Sequence, residues 1–251
     1  MSAYYNEIDP YAAEWLRNLI KAGHIADGTV DTRSIVDVGP VDLRGFVQCH
    51  FFAGIGGWSH ALRLAEWRDS EPIWTGSCPC QPFSVAGKGL GTDDPRHLWP
   101  HFFRLISSCR PVVIMGEQVA GSAGYGWFDG VQSDLESENY ASRAVDISAC
   151  SINAPHIRQR LYWVASDTYS QGRKGLVQGK DFGEIGQWHW RGKEDLFVNG
   201  PYVGGDHWPK PLIRKVDDGI PARMGRLRAY GNAIVPQVAA EVIKAFMECR
   251  P

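Results

Sequence analysis

Apolar residues recur along this chain in two rhythms. Four short, nearly unbroken apolar runs, FVQCHFF (46–52), EPIWTGS (71–77), PVVIMGE (111–117) and RLYWVAS (160–166), have the length and turn-rich flanks of buried strands. The first meets a Gly-rich turn, AGIGG, and passes into WSHALRLAEW, where Trp58, Ala61, Leu62, Leu64 and Ala65 fall near helical spacing. It is the clearest of three βα units. The tail, VPQVAAEVIKAFMECR, places Val238, Val242, Ile243 and Phe246 on one helical face. Strands alternating with helices predict an α/β fold with a mostly parallel sheet covered on both faces. Residues 167 to 216 break the rhythm, being rich in Gly, Trp and Tyr with interspersed Lys, Arg and His. The pattern divides the chain into a main body (1–166), a small insert (167–216) and a C-terminal return (217–251).

Composition adds limits. With 44% hydrophobic and 22% charged residues in 251, the chain can bury a sizeable core. No window approaches the roughly 18 apolar residues of a membrane span, and the start, MSAYYNEIDPY, lacks the regions of a secretory signal, so a cytoplasmic protein is expected. Six scattered cysteines (Cys49, Cys78, Cys80, Cys109, Cys150, Cys249) show no metal-ligand spacing and suit free thiols in a reducing compartment. A formal net charge of -2 offers no global attraction to nucleic acid, so any basic surface must be local.

Four segments carry candidate chemistry. FFAGIGGW sets Gly54, Gly56 and Gly57 after a strand and before a helix, where backbone can approach a ligand, although such a turn is often only structural. SCPCQPFSVAGKGLG presents Cys80 behind Pro79 and ahead of a Gly-rich segment able to close over a substrate. A thiolate there could add to the electron-poor C6 of a pyrimidine, whereas an average cysteine is a small buried hydrophobe. PVVIMGEQV ends an apolar run on Glu117, whose pKa burial would raise so that it could deliver a proton; a solvated strand-end Glu is the plainer alternative. APHIRQRLYWVA holds Arg158 and Arg160 two apart, on one side of a strand, suited to phosphate or carboxylate or to an ordinary surface.

Taken together, the Gly-rich turn, PCQPFS, the strand-end Glu, RxR and the late GNAIVP resemble the cytosine-C5 DNA methyltransferase family over most of the chain outside 167 to 216. The resemblance implies a Rossmann-like S-adenosylmethionine-dependent sheet with a small target-recognition insert, and methyl transfer to cytosine C5 in double-stranded DNA. It implies that Phe52, Ala53, Gly54, Ile55, Gly56 and Gly57 form the cofactor loop, completed by Asn232 and Ala233. Pro79, Cys80 and Gln81 look like the catalytic PCQ, Cys80 being the nucleophile that attacks a flipped-out base. Glu117, Gln118 and Val119 look like the family's ENV with Gln for Asn, which keeps the amide but lengthens it. Arg160 would orient the base and Glu117, and Arg158 would support the site or a phosphate; His156 stands where the family's Gln is usual. Ser84, Lys88, Arg173, Lys174, Arg191 and Lys193 are the expected DNA contacts. The family's acidic ribose residue and adenine Asp normally lie between the Gly-rich loop and PCQ, but the gap from Gly57 to Cys80 is too short for them. AYYNEIDPYAAEWLRNLI and VDTRSIVDV resemble the missing parts, with Glu7 and Asp31 as counterparts, so a permuted order is expected. Such an order joins the Gly-rich strand directly to the PCQ strand and threatens the right-handed crossover rule. A monomer encoded by a bacterium or a phage, with a cognate restriction endonuclease as candidate partner, completes the expectation. A catalytically silent DNA-binding relative, or the same chemistry on tRNA cytosine, are the rival readings.

Overall fold

The computed structural model describes residues 2–79, 98–154, 156–168 and 233–249. Seven strands form one sheet: β1 (Ser2–Asn6), β2 (Gly28–Asp31), β3 (Phe46–Phe51), β4 (Ile73–Gly76), β5 (Val113–Val119), β6 (Tyr140–Ser148) and β7 (Gln159–Asp167). Their spatial order is β2-β1-β3-β4-β5-β7-β6. The pairs from β2 to β5 are parallel, and β7 is antiparallel to both β5 and β6. The helices are α1 (Pro10–Lys21), α2 (Gly57–Leu64), α3 (Trp99–Cys109), α4 (Ser122–Ser137) and α5 (Pro236–Glu248). Among the described residues no helix is long and apolar enough to cross a membrane.

Strand alternation sorts the core into two layers. Tyr4, Cys49, Phe51, Trp74, Ile114 and Ala165 point to the side covered by α3, α4 and the 3₁₀ turns at Ile35–Asp37 and Pro40–Leu43. On the opposite side, Ile73, Val113, Met115 and Tyr162 pack under α2 and α5, while Ala3 and Tyr5 pack under α1. Tyr5 shows that α1 and α2 share this side: its hydroxyl reaches Ala26 O (2.6 Å), at the end of the α1 unit, and Ser59 Oγ (3.0 Å) on α2.

This placement settles the crossover question. The connection β1–α1–β2 steps one way along the sheet on the α1 face, and β2–β3, β4–α3–β5 and β5–α4–β6 step the other way on the opposite face, so all four have one hand. The connection β3–α2–β4 steps with the latter group but lies on the α1 face. It therefore has the opposite hand, and since about 98% of such crossovers are right-handed, it is the left-handed exception. The N-terminal units β1–α1–β2 occupy the places beyond the Gly-rich strand that the second and third strands hold in the common 3-2-1-4-5 order. The two N-terminal strands thus stand at the places the expected permutation would give them, and the direct β3–α2–β4 connection is an irregular crossover.

Candidate active site

The carboxyl ends of the parallel strands bring the expected parts together. β3 runs into the Gly-rich turn, where Gly54 and Gly56 take left-handed conformations (φ +54° and +82°) that suit glycine. The turn is tied to the end of β1: Ala53 N donates to Asn6 O (3.0 Å) and Gly54 N to Glu7 Oε2 (2.7 Å). The other Glu7 oxygen accepts from Asp9 N (2.8 Å), while Asp9 itself caps α1. Glu7 thus uses two of the roughly four acceptor positions of a carboxylate. No atom lies within 4 Å of where a Cβ on Gly54 would stand, so open space borders the turn.

Asp31, at the end of β2, is more heavily engaged. Its Oδ2 accepts from Tyr4 Oη (2.7 Å) and Arg33 Nη2 (2.6 Å), and its Oδ1 from Arg33 N (2.9 Å). Burial works to raise its pKa, but the hydrogen bonds from Arg33 and Tyr4 outweigh it and hold the carboxyl below its ordinary value. To meet an adenine amine, Asp31 would have to release part of Arg33.

On the other side of β3, the register Gly76↔Gly116 sets the chain leaving β4 beside the last residues of β5. Both glycines are required by close packing: a Cβ on Gly76 would lie 2.5 Å from Phe102, and one on Gly116 2.2 Å from the Trp163 indole. Buried Cys78 therefore stands next to Gln118, and exposed Pro79 follows it. The buried Gln118 side chain accepts from Val119 N (2.9 Å) and donates to Cys78 O (3.4 Å). The longer amide thus finds partners on both sides.

Glu117 is opposite Tyr162 in the β5–β7 ladder, so Arg160, two positions along β7, is its diagonal neighbour on the same face. Arg160 Nε lies 2.8 Å from Glu117 Oε1. Burial raises the Glu117 pKa, and the positive charges of Arg160 and Arg158 only partly offset this. Arg158 precedes β7 in a left-handed backbone conformation (φ +28°), and its Nη2 donates to the Ala233 carbonyl. Ile234 next to it packs on the Gly-rich turn, since a Cβ on Gly57 would lie 2.7 Å from Ile234 Cγ1. A cavity of about 640 Å³ is lined in part by Ile55, Gly56, Gly57, Arg158 and Ala233. His24 and His60, which the sequence patterns did not single out, also line it, with His156. No sequence signal marked the first two, because only the packing of α1 against α2 brings them to the turn.

Of the expected site residues, Glu7, Asp31, 52–57, Pro79, Glu117, Arg158, Arg160 and Ala233 are described. Cys80, Gln81, Ser84, Lys88, Arg173, Lys174, Arg191, Lys193 and Asn232 lie outside the described residues, as does the expected target-recognition insert from residue 169 on; its first residue, Asp167, instead closes β7. Among the described residues no His, Cys, Asp or Glu cluster could hold a metal ion.

Residues 66–182 match the C-5 cytosine-specific DNA methylase family, a range that takes in the PCQ segment, Glu117 and both arginines. Over this stretch, just under half of its length, the chain is similar to that family. It is 30% identical over 133 residues to the type II methyltransferase M.AplI of Arthrospira platensis, a match covering 52% of this chain and 33% of that protein. It is also 46% identical over 60 residues to M.NgoMIV of Neisseria gonorrhoeae, covering 24% of the chain and 19% of that protein. The chain thus aligns with a third or less of these relatives' lengths. Among solved structures, the methyltransferase EhMeth of Entamoeba histolytica superposes with a TM-score of 0.47 at 18% identity, over 70% of this chain and 48% of that one.

Proposed function

We propose that this protein methylates C5 of cytosine in double-stranded DNA, with S-adenosylmethionine as methyl donor. The observation that carries the reading is the buried, Arg160-paired Glu117, on the strand beside β4, from which the chain runs on toward Cys80. A free strand-end carboxylate would need neither that burial nor that partner.

The residues present fit the cofactor. Glu7 has two acceptor positions left for ribose hydroxyls, the Gly-rich turn borders open space, and Ala233 with Ile55, Gly56 and Gly57 lines a cavity. When bound, S-adenosylmethionine supplies an electrophilic methyl group. The work of the chain's own residues then falls on the base. A cytosine stacked in a duplex is shielded at C6, so it must be flipped into the site at a cost of a few kcal/mol. The Cys80 thiolate forms a bond to C6 while Glu117, whose pKa burial raises, donates a proton to N3. Electron density moves to C5, which becomes the nucleophile that takes the methyl group. Loss of the C5 proton to solvent, return of the N3 proton to Glu117 and re-formation of the C5–C6 double bond expel the thiolate and leave 5-methylcytosine. Arg160 holds Glu117 and faces the base oxygen. The residues of 169 to 216, outside the described set, would read the target sequence, and a restriction endonuclease of the same specificity is the natural partner.

The test is to express the chain in a bacterium without cytosine methylation and to map 5-methylcytosine by conversion sequencing. A defined methylated motif is expected, and Cys80→Ala should erase it. An unmodified genome with soluble wild-type protein would overturn the proposal.

A further inference from the structure

We propose that Arg158 is a positioning residue that couples occupancy of the cofactor pocket to the Glu117–Arg160 pair facing the target base. The coupling presupposes the methyltransferase activity proposed above. Arg158 sits at a junction between the two halves of the site. Toward the base, it lies two residues before Arg160, and its charge acts on the same buried carboxylate that Arg160 grips at 2.8 Å. Toward the cofactor, its guanidinium donates to the Ala233 carbonyl, and the next residue, Ile234, rests on Gly57 of the Gly-rich turn. Arg158 thus faces both ways: its charge acts on Glu117, and its side chain holds the segment that rests on the turn. Arg158 also lines the cavity directly, with Ile55, Gly56 and Gly57.

Its backbone supports the same role. At φ +28° Arg158 adopts a conformation that bulky residues rarely take, and such residues persist where the surroundings over-determine them. Here the constraints come from both ends: β7 begins at Gln159, and the side chain is held by Ala233. Two guanidiniums near one buried carboxylate repel each other, so the place of Arg158 sets how firmly Arg160 is held on Glu117. A ligand that seats the turn at Ala233 and Ile234 fixes Arg158, and thereby presents Glu117 and Arg160 to the base in one arrangement. Linkage requires the converse: a bound base seats the cofactor pocket to the same degree.

The experiment uses a duplex carrying the methylated motif found above, with S-adenosylhomocysteine as the cofactor-pocket probe. The dissociation constant of the duplex is measured with and without saturating probe, and their ratio is the coupling. Wild-type protein should bind DNA at least about fivefold more tightly with the probe, within the usual range of site–site coupling. Arg158→Met should bring the ratio to within twofold of unity, a change that mere loss of stability would not produce. Ile234→Ala disturbs the same contact from the other end and should also lower the ratio, which keeps the test open if Arg158→Met fails to fold. A wild-type ratio near one in a protein that methylates DNA, or an unchanged ratio in the folded variants, would overturn the coupling and leave the activity standing. Wild-type protein that neither binds the probe nor methylates DNA would instead overturn the functional reading.

Discussion

Glu117 and His50 are both buried titratable side chains on the α2 side of the sheet, and their surroundings drive them to different uses. Burial raises the Glu117 carboxyl, and Arg160 and Arg158 pull it back only in part, so it holds a proton more readily than an exposed Glu. His50 instead bonds Thr75 Oγ1 through Nδ1 (2.8 Å) and stacks on the Tyr5 ring at 4.9 Å, with only the charge of Asp69 drawing its pKa up. Burial pushes its imidazole down to about 3. The unfolded chain binds that proton near pH 6.5 and the fold refuses it, so His50 costs stability as pH falls from about 6.5 toward 3. Urea unfolding at pH 7, 6 and 5 should show wild-type stability falling more steeply than that of His50→Gln, by up to about 1.4 kcal/mol per pH unit. Equal slopes would refute the assignment. Glu117 was visible in the sequence as a strand-end carboxylate and RxR as a basic pair. That Glu117 and Arg160 touch follows from an antiparallel register that no residue announces.

At the scale of elements, the left-handed β3–α2–β4 unit needs local anchoring because the twist of the sheet disfavours it. The anchors lie just after α2. Glu66 turns the chain in a left-handed conformation (φ +62°), Trp67 is buried with its ring stacked on Phe246 of α5, and Arg63 pairs with Asp69 at 2.7 Å. Gln48 Nε2 of β3 donates to Arg68 O (3.2 Å), closing the turn onto the strand it left. Trp67→Ala should therefore cost about 3–5 kcal/mol, the usual loss for deleting a buried indole, measured by chemical denaturation. A loss under about 1 kcal/mol would mean that the turn does not depend on this anchor. The same scale explains what pattern reading passed over. β6 is an edge strand with Ala141, Arg143, Ala144 and Val145 exposed, so it lacks the unbroken apolar run that marked the other strands. RLYWVAS was legible as a strand, but its reversed direction depends on β6 forming a hairpin with it.

For the whole molecule, the permuted order has a direct consequence. Glu7, the seventh residue, reaches Gly54 across 47 positions and joins the N-terminal units to the Gly-rich turn. If this pocket takes the cofactor, Glu7→Ala should weaken S-adenosylmethionine binding by about tenfold or more, since charged hydrogen bonds contribute about 1.5–3 kcal/mol. Cofactor titration against the variant checks this, and unchanged affinity would exclude a ribose role for Glu7. By itself the sequence determined the α/β class, the Gly-rich turn, the Glu117 and RxR segments and the upstream position of the missing units, because these are written in local residue types and spacings. Only the tertiary structure decided which face α2 covers, which strand runs backwards, that Glu117 meets Arg160, and that Arg158 reaches Ala233. Those are contacts between segments far apart in the chain, and they are set by how the sheet packs as a whole.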